Sequence, residues 1–270
     1  MKIILRPLLT MGCLYALLVL LLFLFQRSLL YLPDTSPPDP DAAFSEFGIR
    51  PVTFATRDGV KLRSWWRPAS QDDSSLAVLI MHGNAGHAGY RFAKFTPLIN
   101  AGYNVLFLEY RGYGGNPGNP TEIGLRHDAQ AAINHLTSIG FRPEQTVLYG
   151  ESLGCGIAIH LAAHHRFAGV VLEAPYTSIA DVAQDHYWFV PARWLTRDKF
   201  NSLSKVPQVK SPLLIIHGES DGIIDREHSK RLYAVANDPK EVFFVAGAGH
   251  NDLYDFDTAS TVLRFLEALH

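Results

Sequence analysis

The stretch Gly150-Glu151-Ser152-Leu153-Gly154 decides how the rest of the chain is interpreted. An apolar, β-branched run precedes it at 145–149, and a run rich in Ala, Ile and Leu follows it at 155–165. A serine between glycines at a strand-to-helix turn is typical of a nucleophile elbow, because the turn is too sharp for side chains at its flanks. The alternative is an ordinary strand–turn–helix connection, so the decision rests on other parts of the chain.

Two later loops supply what a nucleophilic serine needs, which is a general base and a carboxylate that orients the base. Asp221 lies in the loop after the apolar run 212–217, which predicts a strand. His250 lies in the glycine-rich loop 246–252, after the last predicted strand, and this position distinguishes it among the 12 histidines. Ser152, Asp221 and His250 are therefore the candidate nucleophile, acid and base.

Another apolar run, 76–81, ends in His82-Gly83-Asn84-Ala85-Gly86, where an oxyanion loop is expected. Taken together and in this order, the motifs resemble the α/β-hydrolases, and more narrowly the membrane-anchored α/β-hydrolase-domain serine hydrolases. The resemblance extends from roughly Val52 to the C-terminus. The motifs that carry it are residues 82–86, Tyr110-Arg111-Gly112-Tyr113-Gly114, the elbow, Pro212 through Asp221, and Gly247 through Asp252.

The resemblance implies a role for each site residue. Ser152 would attack the substrate, His250 would act first as base and then as acid, and Asp221 would orient His250. The oxyanion hole would consist of the backbone N–H groups of Leu153 and Asn84.

Two positions depart from the family pattern. Glu109 stands where the family more often has Asp before Tyr-Arg-Gly, and Asp225 stands where a proline is more usual. Asp225 is a second carboxylate near the acid, so it competes with Asp221 for that assignment.

The remaining pattern predicts an α/β fold, with a mostly parallel central sheet and helices on both faces. A hairpin is expected at 52–66, joined through Asp58-Gly59. Strands are expected at 76–81, 103–109, 145–149, 169–173, 212–217 and 241–245. Helices are expected at 90–101, 121–139, 152–165, 226–237 and 254–269.

A segment at about 175–210 interrupts the alternation, and the resemblance implies a short cap there. It contains Tyr187-Trp188-Phe189-Val190-Pro191 and Trp194, with no clear strand. These aromatic side chains either line an acyl pocket or pack the cap onto the domain.

Residues 7–26 carry no charge, and at about 1.5 Å per residue they span roughly the 30 Å hydrocarbon core of a bilayer. Lys2 and Arg6 flank the amino end, so the positive-inside rule predicts a cytoplasmic N-terminus and a non-cytoplasmic domain. A cleaved signal peptide and a lipid-modified Cys13 are the competing interpretations. The favoured division is an anchor at 1–32, a linker at 33–50 and a catalytic domain at 51–270. The proline-rich part of the linker, 33–41, is expected to be stiff and solvated.

Composition excludes several classes of function. The net charge of −2 gives no electrostatic reason to expect nucleic-acid binding. Cys13 and Cys155 are the only cysteines, and their positions make an intrachain disulfide implausible. The sequence contains no metal-binding motif, and no cofactor is expected. Oligomeric state is left open.

The sequence therefore predicts a membrane-anchored serine hydrolase that cleaves acyl esters or thioesters, with a small-molecule or lipid acyl substrate. A serine peptidase of the same fold and a non-catalytic binding protein are the alternatives. Enzymes of this fold that cleave halides or epoxides use an aspartate at the elbow, and this chain has Ser152.

Overall fold

The structure is a computed structural model that describes residues 2–69 and 75–269. Its centre is an eight-stranded sheet in the order β10-β9-β8-β7-β4-β6-β3-β2. Strand β3 runs antiparallel to both β2 and β6, and all other neighbours in this sheet are parallel. The strands of the chain are β1 (Leu32–Pro33), β2 (Arg50–Ala55), β3 (Lys61–Arg67), β4 (Ala77–Met81), β5 (Ala85–Gly86), β6 (Asn104–Leu108), β7 (Thr146–Glu151), β8 (Gly169–Glu173), β9 (Leu213–Gly218) and β10 (Lys240–Val245).

Helices cover both faces of the sheet, and a separate buried apolar cluster fills each face. The α-helices are α1 (Lys2–Leu30), α2 (Pro40–Phe47), α3 (Thr96–Asn100), α4 (Glu122–Ser138), α5 (Leu153–Ala162), α6 (Ile179–His186), α7 (Ala192–Leu195), α8 (Glu227–Val235) and α9 (Thr258–Glu267). The predicted α/β class, with a mostly parallel sheet, is confirmed.

The helix predicted at 90–101 is not a continuous α-helix in the structure. Two 3₁₀ turns, Ala88–Arg91 and Ala93–Phe95, lead into the short helix α3. Pro97 has no N–H to donate to the carbonyl of Ala93, so a continuous α-helix cannot pass this point.

The segment between β8 and β9 contains α6, α7 and the 3₁₀ turn Val206–Gln208, with no strand among its residues. Helix α6 begins at the cap residue Ser178, whose hydroxyl accepts a hydrogen bond from the N–H of Asp181. This segment lies above the sheet as a small helical cap and contributes residues to the cavity described below.

The segment 33–50 is attached to the domain, in contrast to the solvated linker that the sequence suggested. Strand β1 pairs in parallel with β5, and the N–H of Asp34 donates to the carbonyl of Gly86 at 2.9 Å. Helix α2 follows, and Ala43 within this helix and Ile49 just beyond its end are buried. The proline-rich composition indicated stiffness, but the backbone of this segment also finds hydrogen-bond partners on the domain.

Candidate active site

Strand β7 and helix α5 meet at Ser152 in a turn that only glycines can flank. Ser152 has φ 49° and ψ −113°, a backbone conformation that side-chain-bearing residues rarely adopt. A Cβ atom on Gly154 would lie 2.0 Å from the carbonyl oxygen of Met81. One on Gly150 would lie 2.7 Å from the backbone nitrogen of Cys155. The two glycines therefore allow α5 to start directly against β4, and the turn raises Ser152 above the sheet.

A chain of hydrogen bonds connects the three predicted site residues. His250 Nε2 lies 3.0 Å from Ser152 Oγ, and His250 Nδ1 lies 2.7 Å from Asp221 Oδ2. The Asp221 side chain is fully buried, whereas the His250 side chain is 10% exposed. In this arrangement the imidazole can accept the serine proton at Nε2 while its Nδ1–H donates to the carboxylate.

Asp221, rather than Asp225, is the carboxylate that contacts His250. The N–H groups of Ile223 and Ile224 both donate to Asp221 Oδ1 at 2.8 Å, which fixes the carboxylate in the loop. Burial favours a raised pKa, but hydrogen bonds from His217 and His250 outweigh it and hold the pKa of Asp221 below its usual value. The Asp225 carboxylate accepts instead from the N–H of Glu227 in its own loop.

His217 is a direct contact of the candidate acid Asp221 that the sequence analysis missed. Its ring is completely buried at the end of β9, and its Nε2 lies 3.2 Å from Asp221 Oδ2. The ring also contacts Ser229 Oγ at 2.6 Å and the carbonyl of Ile224 at 2.8 Å. The available signal was a histidine four residues before the candidate acid, at the buried end of an apolar strand.

The predicted oxyanion loop lies beside Ser152, and Asn84 and Leu153 both line the same cavity. Three hydrogen bonds fix Asn84. Its carbonyl accepts from Tyr113 Oη at 2.8 Å and from the N–H of Leu32 at 3.0 Å, and its side-chain amide donates to the carbonyl of Leu30 at 2.8 Å. The last two partners belong to the N-terminal segment, so this segment helps to hold the loop in place.

A cluster of ion pairs lies next to the elbow, and the sequence analysis missed it as well. The Glu151 carboxylate accepts from Arg91 at 2.7 Å and from Lys94 at 2.8 Å. Lys94 also donates to Glu173 at 2.6 Å, and Tyr149 Oη donates to Glu173 at 2.5 Å. Burial favours a raised pKa for Glu151, but Lys94 and Arg91 outweigh it and hold the pKa below its usual value.

Cys155 is a packing residue on α5. It is fully buried, and its Sγ lies 3.1 Å from the carbonyl of Gly150 and 3.2 Å from that of Glu173. Burial raises the pKa of its thiol well above the usual value, so it stays protonated and unreactive.

A cavity of about 480 Å³ opens above Ser152, within the size range of small-molecule sites. The cap contributes apolar residues to its wall, among them Ile179, Val182 and Val190. Helix α1 contributes Val19, Leu22, Phe23 and Leu30 in a further part of the wall. In the described ranges 2–69 and 75–269, no group of three or more His, Cys, Asp or Glu side chains could hold a metal ion.

Comparison with known proteins agrees with this architecture. The family described as serine aminopeptidase, S33, matches residues 72–203. An uncharacterized protein of Mycobacterium tuberculosis is 40% identical over 228 residues, which are 84% of this chain and 81% of that protein. The alpha/beta hydrolase domain-containing protein 17B of Homo sapiens is 36% identical over 189 residues, which are 67% of this chain and 62% of the human protein.

Two solved structures share the fold. The esterase Pf2001 of Pyrococcus furiosus has a TM-score of 0.71 at 23% identity, covering 88% of this chain and 98% of its own. A membrane phospholipase A, described as a bacterial virulence factor, has a TM-score of 0.64 at 16% identity, covering 100% of this chain and 99% of its own. At these identities the likeness establishes the fold alone.

The parallel sheet, the elbow and the matching relatives define a hydrolase of α/β architecture. The chain belongs to the α/β-hydrolase superfamily.

Replacing Lys94 with methionine should destabilise the protein by about 3 kcal/mol near neutral pH, because it leaves buried carboxylates without their ammonium partner. In the wild type the pKa of Glu151 is lowered, so its ionised form stabilises the fold at pH values above the ordinary pKa of glutamate. This contribution is lost as the pH falls. In the variant the pKa of Glu151 rises, so protonation relieves part of the penalty. Thermal unfolding midpoints in detergent should therefore differ most at pH 8 and converge toward pH 5.

The matched control is Lys230→Met, which removes an exposed lysine paired with Glu227. Its effect should stay within about 0.5 kcal/mol and should not change with pH. A gap between wild type and Lys94→Met that is constant from pH 8 to pH 5 would contradict the electrostatic account.

Proposed function

We propose that this protein is a membrane-anchored serine hydrolase that cleaves acyl ester or thioester bonds through an acyl-enzyme. The observation that carries the proposal is the hydrogen-bonded series Ser152, His250 and Asp221 at the floor of a largely apolar cavity. Ser152 is the nucleophile, His250 is the general base and then the general acid, and Asp221 orients the imidazole.

The reaction proceeds in two halves. Ser152 Oγ bonds to the acyl carbon as its proton passes to His250 Nε2, and the negative oxygen accepts from the N–H groups of Leu153 and Asn84. The bond to the leaving oxygen or sulfur then breaks, and His250 returns the proton to that atom. Water adds to the acyl-enzyme by the same route, releasing the carboxylic acid and restoring Ser152.

Peptide hydrolysis is the second candidate, and the matching family's description, serine aminopeptidase, favours it. An unpaired carboxylate in the site would bind the α-ammonium group of an aminopeptidase substrate strongly. The two carboxylates of the cavity wall are paired internally, Glu151 with Arg91 and Lys94, and Asp198 with Arg27. The apolar wall and these internal ion pairs support an acyl ester over a peptide.

The N-terminal helix supports the membrane part of the proposal. Among the described residues, one helix segment, Pro7–Leu30, is long and apolar enough to cross a membrane. A signal sequence can have the same length and composition. We propose a single-pass anchor with a cytoplasmic N-terminus and a catalytic domain on the other side, in accordance with the positive residues Lys2 and Arg6.

Ser152→Ala tests the proposal directly. The variant should fold like the wild type but lose labelling by a fluorophosphonate probe, with ester hydrolysis reduced by about 10⁴–10⁶-fold.

The full-length protein in detergent is assayed on p-nitrophenyl esters from acetyl to palmitoyl, on monoacylglycerol, on acyl thioesters and on aminoacyl amides. We expect the catalytic efficiency to rise with acyl length. Labelling of the alanine variant at the wild-type level would refute the nucleophile, and efficient aminoacyl cleavage without ester turnover would favour the peptidase.

The two loop carboxylates give a matched pair of variants. Asp221→Asn removes the charge that orients His250 and should reduce kcat by about 10⁴-fold. Asp225→Asn changes a carboxylate that bonds only within its own loop, and kcat should stay within about twofold of the wild-type value. Loss of activity in the second variant alone would assign the acid role to Asp225.

Topology is tested in sealed vesicles with added protease. Protection of the catalytic domain in inverted vesicles, and its digestion in right-side-out vesicles, is the expected pattern. The opposite pattern, or a mature protein that begins beyond Phe25, would overturn the proposed anchor.

A further inference from the structure

Helix α1 is largely apolar on all sides, but only one of its sides contacts the catalytic domain. Residues at helical spacing on this side are half-buried against the domain, namely Val19, Leu22, Phe23, Gln26 and Leu30. Leu21, Leu24 and Phe25 on the remaining surface are exposed, Leu24 by 54%. The half-buried residues also line the cavity that contains Ser152 and His250.

Specific polar contacts fix the rotation of α1 against the cap. The Arg27 guanidinium donates to both oxygens of Asp198, at 2.8 and 3.2 Å, and the Asp198 side chain is almost fully buried. The Gln26 side chain accepts from the N–H of Arg197 at 2.7 Å and donates to the carbonyl of Leu195 at 3.3 Å. A helix that served only to tether the domain would require none of these contacts.

A contact nearer the amino end extends this interface along the helix. Tyr15 Oη donates to the carbonyl of Phe189 at 2.9 Å. Tyr15 and Gln26 are separated by about 16 Å along the axis at roughly 1.5 Å per residue, which is about half of the hydrocarbon thickness of a bilayer. If α1 spans the membrane, the cap lies alongside it at bilayer depth.

The outer surface of the cap suits that position. Trp188 is 79% exposed and Trp194 is 83% exposed, and Tyr187 and Phe189 are also partly exposed. Exposed tryptophan and tyrosine are typical of the membrane interface, where the ring is in contact with lipid and its polar group with water.

We propose that α1 is a wall of the acyl-binding site, and that the acyl chain of a membrane lipid ester enters the cavity from the bilayer between α1 and the cap. The inner side of α1, defined here as Val19, Leu22 and Phe23, contacts the chain. The ester carbonyl of the same lipid reaches Ser152 at the floor of the cavity. This inference rests on the proposed hydrolase activity and assigns a lipid acyl chain as its substrate class.

The experiment changes the inner side of α1 and compares it with the outer side. Full-length wild type, Leu22→Trp and Leu24→Trp are placed in phosphatidylcholine nanodiscs. The rate of covalent labelling is measured with ethyl, octyl and hexadecyl fluorophosphonates. Leu22→Trp should lower the hexadecyl-to-ethyl rate ratio by about tenfold or more, because an indole fills space that the long chain needs. Leu24→Trp adds the same ring to the exposed side and should keep the wild-type ratio.

A second variant at the same position controls for misfolding of Leu22→Trp. Leu22→Ala widens the cavity and should raise the hexadecyl-to-ethyl rate ratio, the opposite direction to Leu22→Trp. Unchanged length preference in both Leu22 variants, or equal changes in Leu22→Trp and Leu24→Trp, would overturn the role of α1. A purified mature protein that lacks α1 and keeps the long-chain preference would overturn it as well.

The outcomes separate this inference from the proposed function. If no probe labels the wild type, the hydrolase proposal itself fails. If the wild type is labelled with a chain-length preference that the inner side of α1 does not affect, only the inference fails.

Discussion

The close approach of helix α5 to strand β4 is the constraint on which the site depends. A single side-chain carbon on Gly154 would collide with the Met81 carbonyl, so the helix can start where it does only because that atom is absent. This contact leaves Ser152 in a strained conformation at the top of the turn. Strain of this kind persists only where the surrounding structure holds it. Here the N–H of Ser152 donates to the carbonyl of Glu173, and Lys94 bonds the side chains of both Glu151 and Glu173.

Charge is neutralised internally throughout this region. Glu151 and Asp198 both have basic partners, and Asp221 is enclosed by two histidines and two backbone N–H groups. The carboxylates of the cavity wall are therefore paired with basic side chains of the protein, and much of the remaining wall is apolar. An apolar wall around a polar floor suits a substrate with one reactive carbonyl and a hydrocarbon chain.

The sequence predicted the sheet well, and the physical reason is burial. Strands such as β4 and β9 are covered on both faces, so they appear as continuous apolar runs with bounds accurate to one or two residues. The loops at the carboxyl ends of β7, β9 and β10 bring Ser152, Asp221 and His250 together. The helix expected at 90–101 failed because a proline inside an otherwise favourable pattern was overlooked.

Other features could not be obtained from the sequence. Lys94 and Glu173 are 79 residues apart, and nothing in either local pattern indicates the other. The inner side of α1 was also hidden, because a helix that is apolar all round has no polar face to mark its orientation. The attachment of the linker was not predicted because the backbone partners of Asp34, Gly86 and Gly114, lie in loops that are distant in sequence.

The attachment of residues 30–34 to the loop 82–86 has a practical consequence for work with this hydrolase. A chain shortened to begin after Leu30 would lose the carbonyl that accepts from the Asn84 amide, and Asp198 would lose its guanidinium. The space above Ser152 would lose the part of its wall that α1 supplies and would become more open to water. Kinetic constants obtained from such a fragment would describe a different molecule from the full-length chain.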